Sequence, residues 1–223
     1  MEEELMSEQK KKLKFYDFRH FPMDLGRMGL AVVPLIYPAR IKTPTGEKYR
    51  GRVRGGALIA ANHNSFLDPL VLFLTFWYRR VYFLAGELVM TGSLKSKLMA
   101  GMGAIKIDRN IADMEAVRRC VSLLKEGHVI GIFPQGQIAK TEEVADVKHG
   151  AVLMALQAGV PIVPMYIAPQ EKWYHRRNVV IGDPIDPRAL CTRKIPSTAD
   201  IQNISQVLIT EMNRCSPKKE AVK

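Results

Sequence analysis

The stretch Asn62-His63-Asn64-Ser65-Phe66-Leu67-Asp68-Pro69 holds an imidazole and a carboxylate five residues apart. That spacing does not put them on one face of a regular helix, so a turn must bring them together. If it does, Asp68 accepts a hydrogen bond from one ring nitrogen and fixes the tautomer. The other nitrogen is then left to take a proton. The same residues have a plainer reading. Asp68 before Pro69 is a good helix N-cap with proline in the first helical position, and His63 could be a satisfied buried histidine. The chain contains no Gly-x-Ser-x-Gly elbow that would present a serine nucleophile. A base at His63 would therefore act on a hydroxyl of the substrate, not of the protein.

Two further stretches carry groups suited to holding a substrate. Gly103-Ala104-Ile105-Lys106-Ile107-Asp108-Arg109-Asn110 reads as a short strand ending in an arginine, followed by a helix start. Arg109 with free backbone N–H groups would make an anion site; alternatively it pairs on the surface with Asp108 or Asp113. Ile132-Phe133-Pro134-Gln135-Gly136-Gln137 places a Pro-Gln-Gly turn after another strand. Such a turn brings backbone and an amide to one rim, or is simply the way a strand enters a loop. Lys148 and Gly150, just before the next helix, could reach the same rim.

These groups can meet only if the elements before them end together. Apolar runs predict strands over 57–61, 81–85, 104–107, 129–133, 162–167 and 179–181. Helices are predicted over 69–78, from Ser93 to about Ala100, from a cap at Asn110 to Gly127, over 150–158, and from Ser197 or Thr198 to about Arg214. Strands alternating with helices predict an α/β fold, a mostly parallel (mixed) central sheet with helices on both faces. A short basic and apolar helical segment precedes it. His63, Arg109 and Gln135 each follow the carboxyl end of a predicted strand, where open α/β sheets bind ligands. Pro161 and Pro164 predict that their strand lies near an edge or is locally bent.

A length of 223 residues suits one domain. We divide the chain into a basic, membrane-interacting segment at 1–54, an α/β domain at 55–215 and a polar tail at 216–223. The formal charge is +11, and Lys10 to Arg54 alone carries 12 basic against 3 acidic residues. A balance of that kind expects a negatively charged partner. Nucleic acid is not expected as that partner, because no nucleic-acid-binding signature is present. The three cysteines, Cys120, Cys191 and Cys215, are widely spaced and include no C-x-x-C, which predicts neither a disulfide framework nor a metal site. They suit a reducing compartment. The longest early apolar run, 28–38, is broken by Pro34 and is shorter than the about 20 residues a membrane span needs. The acidic first residues do not look like a signal peptide. The expected placement is peripheral or interfacial, with no transmembrane span.

Taken in order, the three rim stretches resemble the PlsC-type glycerolipid acyltransferases, a family that includes the 1-acyl-sn-glycerol-3-phosphate acyltransferases. His63-x-x-x-x-Asp68 followed by Pro69 is similar to the family's first motif, and Gly103 to Arg109 to its second. Phe133-Pro134-Gln135-Gly136 resembles the third, Val160-Pro161-Ile162-Val163-Pro164 the fourth, and Lys148-x-Gly150-Ala151 the stretch between them. The resemblance covers about 55–167. It implies acyl transfer from acyl-CoA or acyl carrier protein to a hydroxyl of a lyso-glycerolipid, without an acyl-enzyme. It implies His63 as general base, Asp68 as its orienter, and Arg109, with Lys148, as ligands of the acceptor phosphate. It also implies work at an anionic membrane surface, on the cytoplasmic face, and it implies no metal and no cofactor beyond the thioester co-substrate. The third motif departs from the family pattern. Gln135 stands where glutamate is usual, and Gln137-Ile138 where threonine and arginine are usual. The acceptor-binding residues Gln135 and Gly136 thus leave open a different lyso-lipid or an amino-lipid as acceptor. A thioester hydrolase using the same base on water is the other reading.

Overall fold

Five apolar residues in a row, Ala57–Ala61, form a strand that is buried on both faces and lies at the centre of the sheet. A computed structural model of the protein describes residues 39–65, 67–86, 101, 103–108, 113–136, 144–169, 177–193 and 195–216. Seven strands are described: β1 (Arg40–Lys42), β2 (Ala57–Ala61), β3 (Val81–Gly86), β4 (Ala104–Ile107), β5 (Val129–Ile132), β6 (Ile162–Ile167) and β7 (Asn178–Ile181). They join in the order β1-β7-β6-β2-β5-β3-β4. All neighbours are parallel except β6 and β7. The described helices are α1 (Asp68–Thr75), α2 (Met114–Lys125), α3 (Gly150–Ala158) and α4 (Thr198–Cys215). The α/β fold, mostly parallel but mixed, is the one the apolar pattern predicts.

Side chains alternate across a strand, so each strand feeds two cores. Leu58, Ala60, Ile130, Ile132 and Ile162 face the layer of α2, α3 and α4. Ala57, Ile59, Ala61, Val129, Val163, Met165 and Ile167 face the other side, with Val71, Leu72, Phe73 and Phe76 of the α1 region. Gly131 marks how closely that layer approaches, because a Cβ there would lie 2.7 Å from Leu72 Cδ1.

The connections place the functional edge. From β2 the chain crosses past β5 to reach β3, with α1 on one face. From β5 it crosses past β2 to reach β6, with α3 on the other face. Two neighbouring strands whose chains leave in opposite directions open a crevice at their carboxyl ends. The turn after β2 and the turn after β5 both start there.

Several boundaries differ from the sequence pattern. The strand containing Pro164 is interior, flanked by β2 and β7, not an edge. It tolerates proline because of a bulge on its partner. Ile162 pairs with Ile185 but Met165 pairs with Ile181, so three residues (182–184) oppose two. Pro164 lies opposite that bulge, where its carbonyl accepts the Gly182 N–H at 2.9 Å and its missing N–H is not needed. Helix α2 begins after Asp113, not Asn110. The Asp113 carboxylate accepts from Ala116 N at 2.9 Å and from Asp108 N at 3.1 Å, so it caps the helix and fastens the end of β4 to it. Helix α1 runs one residue earlier and ends three residues sooner than its apolar run, and β5 stops before Phe133. The three-residue β1 adds to the sheet from within 1–54, pairing with β7. The expected N-terminal helices, the helix from Ser93, Arg109, Asn110, Gln137, Ile138 and nearly all of the polar tail lie outside the described residues.

Candidate active site

Asp68 is fully buried, and its carboxylate gathers the site. Oδ2 accepts from His63 Nδ1 at 3.0 Å, Asn64 N at 2.6 Å and Ser65 N at 2.7 Å. The turn that joins residues five apart is thus built by the carboxylate itself, which folds back over the backbone preceding α1. Asp68 is not the helix cap. Leu67 occupies that position, Asp68 is the first helical residue, and Pro69 follows it in the first turn.

Because Asp68 only accepts, the hydrogen-bonded His63 nitrogen is the protonated one, and Nε2 carries the free lone pair. The ring is fixed from a second direction by Phe133, stacked with centroids 4.3 Å apart and planes 22° apart. The His63 side chain keeps 13% of its surface exposed. The arrangement can orient a base, with Nδ1 engaged by the carboxylate and the ring partly exposed.

Two asparagines hold this turn to the neighbouring strand. Asn62 is buried. Its Oδ1 accepts from Ile167 N at 2.6 Å and its Nδ2 donates to Ile167 O at 3.0 Å, so its amide replaces a strand partner where β2 ends beside β6. Asn64 Nδ2 donates to the same carbonyl at 2.8 Å. The carboxyl ends of β2 and β6 are therefore tied together just below His63.

The turn after β5 supplies the opposite wall. Gly136 N donates to Phe133 O at 2.9 Å, closing Phe133-Pro134-Gln135-Gly136 into a tight turn. Gly136 has φ +75°, and a Cβ there would meet Lys148 Cε at 2.9 Å, so glycine serves both the backbone and the neighbour. Lys148 N donates to Pro134 O at 3.0 Å, which anchors the chain just before α3 onto the same turn. Gln135 Oε1 is buried with no hydrogen-bond partner among the described residues.

The structure thus brings His63 and Asp68 together, and joins Gln135, Gly136 and Lys148 in a second group. Phe133 links the two groups through its stack on His63. Arg109 lies outside the described residues. Sequence reasoning missed Arg177, which is buried with its Nη1 3.3 Å from Asp68 Oδ1. It stands 109 residues beyond its partner, in a basic stretch that reads locally as surface. Among the described residues, no three His, Cys, Asp or Glu side chains gather to hold a metal.

The acyltransferase family profile matches residues 41–168, from β1 past the end of β6. The chain is 27% identical over 135 residues to the 1-acyl-sn-glycerol-3-phosphate acyltransferase of Bacillus subtilis, covering 58% of this chain and 67% of that protein. It is 28% identical over 114 residues to the enzyme of that name from Borreliella burgdorferi, covering 50% of this chain and 45% of that protein. Among solved structures, the 1-acyl-sn-glycerophosphate acyltransferase PlsC from Thermotoga maritima superposes with a TM-score of 0.56 at 19% identity. That alignment covers 90% of this chain and 88% of the other.

Proposed function

Because this chain belongs to the acyltransferase family, we propose that it moves a fatty acyl group from acyl-CoA or acyl carrier protein to a hydroxyl of a lyso-glycerolipid. The acceptor we assign is 1-acyl-sn-glycerol-3-phosphate, and the product phosphatidic acid. The observation that carries this reading is the oriented His63, held on Nδ1 by a buried carboxylate while its ring stays partly exposed. The names of the relatives from Bacillus subtilis and Borreliella burgdorferi support the acceptor.

In the proposed reaction Nε2 removes the acceptor hydroxyl proton as the oxygen attacks the thioester carbonyl carbon. The tetrahedral adduct collapses with cleavage of the carbon–sulfur bond. The departing thiolate takes the proton from the imidazolium, so the base is regenerated and no acyl-enzyme forms. Asp68 holds the tautomer and stabilises the imidazolium while it exists. Arg109 and Lys148 are assigned to the acceptor phosphate, as charge-assisted donors. Leu67, half exposed beside Asp68, offers apolar surface of the kind an acyl chain would cover. The basic residues of 1–54 are assigned to the anionic, cytoplasmic face of a membrane. No helix among the described residues is long and apolar enough to cross one.

The test is to incubate the protein with an acyl thioester, with and without lysophosphatidate, and to measure thiol release, free fatty acid and phosphatidic acid. Thiol release that needs the acceptor and matches the phosphatidic acid formed supports transfer. Equal release in both, with free acid as the product, would make the protein a thioester hydrolase. A second reading of the acceptor is favoured by Gln135, whose neutral amide has a buried, unpartnered oxygen. On that reading the amide receives a donor from a different lyso-lipid or from an amino-lipid.

A further inference from the structure

We propose that Arg177 is a positioning residue for the catalytic pair, acting on His63 through Asp68. This rests on the reading of His63 and Asp68 as base and orienter. The three donors on Asp68 Oδ2 fix one carboxylate oxygen. With that oxygen alone fixed, the carboxyl plane could still turn about it and swing its lone pairs out of line with His63 Nδ1. Arg177 takes the opposite oxygen, Oδ1, at 3.3 Å and so fixes the plane.

Its charge matters as much as its bond. Asp68 is fully buried and Arg177 is 4% exposed, so neither charge is neutralised by water. Removing one member of a buried pair leaves the other uncompensated. While His63 is neutral, Arg177 is the cation facing Asp68. When His63 takes a proton, the same carboxylate lies between two cations. Among the described residues the guanidinium has no competing carboxylate, and its Nε is buried without a partner. Its place comes from the sheet, not from the turn around His63. The Arg177 carbonyl accepts from Arg40 N at 2.7 Å, where β1 and β7 begin to pair. A residue outside every stretch singled out from the sequence therefore sets the geometry of the base.

The experiment is a double-mutant cycle on the full-length protein. It compares wild type, Arg177→Met, Asp68→Asn and the double variant for kcat, for the KM of donor and acceptor, and for Tm. Positioning through Asp68 predicts that Arg177→Met lowers kcat by about 10- to 100-fold, the scale of a displaced catalytic group, with both KM values within about twofold. In the Asp68→Asn background the same change should alter the residual rate less than about twofold. Tm should fall when Arg177 is removed from wild type but rise when it is removed from Asp68→Asn, where it is an unpaired buried cation. An Arg177→Met protein that folds and keeps more than about half its kcat overturns the proposal. So does an equal loss of rate in both backgrounds. If Arg177→Met does not fold, the two Asp68→Asn proteins still decide by Tm, a rise supporting the proposal and a fall overturning it. A catalytic pair that is misread shows itself separately, as an Asp68→Asn protein with wild-type turnover.

Discussion

Two single substitutions in the turn after β2 should damage the protein in different ways, because the imidazole is partly exposed and the carboxylate is not. If His63 is the base, His63→Ala should lower turnover by at least about 10²-fold, while stability changes little beyond the lost stack on Phe133 and the lost bond to Asp68. Asp68→Asn should cost nearly as much turnover and also destabilise the fold by about 3–5 kcal/mol, since buried Arg177 loses its counter-ion. Urea unfolding of the two variants beside wild type separates these effects; equal stabilities would mean that the Asp68–Arg177 pair contributes nothing net. Gln135→Glu addresses the acceptor. If lysophosphatidate is the natural acceptor, glutamate should leave kcat/KM for it unchanged or higher. A fall of roughly 5- to 150-fold, the cost of stranding a buried polar group, would mean that the amide itself supports that acceptor. A panel of lyso-lipids with a common donor reads this out. At this scale the sequence was informative wherever partners are close in the chain. His63 and Asp68 share one turn, and Gln135 and Gly136 another. Arg177 was hidden because nothing in its own neighbourhood differs from a solvated basic run; only the fold brings it to Asp68.

The elements were legible where burial leaves a continuous or periodic apolar pattern. Strands β2, β4 and β6 and helix α3 end where their apolar runs end. The three residues of β1, two of them basic and exposed, carry no such pattern and join the sheet through β7. Proline in β6 misleads for a related reason, since the bulge that accommodates it belongs to residues 182–184. Helix α4 carries a pH prediction. Its Asp200 accepts from Ser197 N and Oγ in a capping box, and from Thr192 N and Oγ1. These bonds hold the Asp200 carboxyl well below the usual carboxylate range. A group whose value is lowered by folding stabilises the native state above its unfolded value of about 4, and loses that contribution as pH falls below it. The stability gap between wild type and Asp200→Ala should therefore be wide at neutral pH and narrow steadily below about pH 4. Chemical denaturation across that range measures it, and a gap that widens in acid would contradict the assignment.

Over the whole molecule the dominant quantity is charge. At +11 the protein should bind vesicles containing anionic lipid. Each basic side chain near such a surface contributes about 1 kcal/mol, and the attraction weakens as salt shortens the screening length. Sedimentation with anionic and neutral vesicles at low and high salt tests this; equal binding to both kinds would remove the electrostatic part. The sheet order has a consequence of another kind, for how the protein is made. Strand β2 and the turn after it leave the ribosome before β5 and β6, to which the edges of β2 belong. The cation behind Asp68 follows 109 residues after it. At synthesis rates of about 5–20 residues per second, that interval lasts roughly 5 to 20 seconds. Until β5 emerges, a little past the middle of that interval, a wholly apolar strand has neither neighbour in place, and its second edge stays bare until β6 follows. The central position that makes β2 a rigid mount for His63 therefore also leaves it in need of shielding until translation has passed β6.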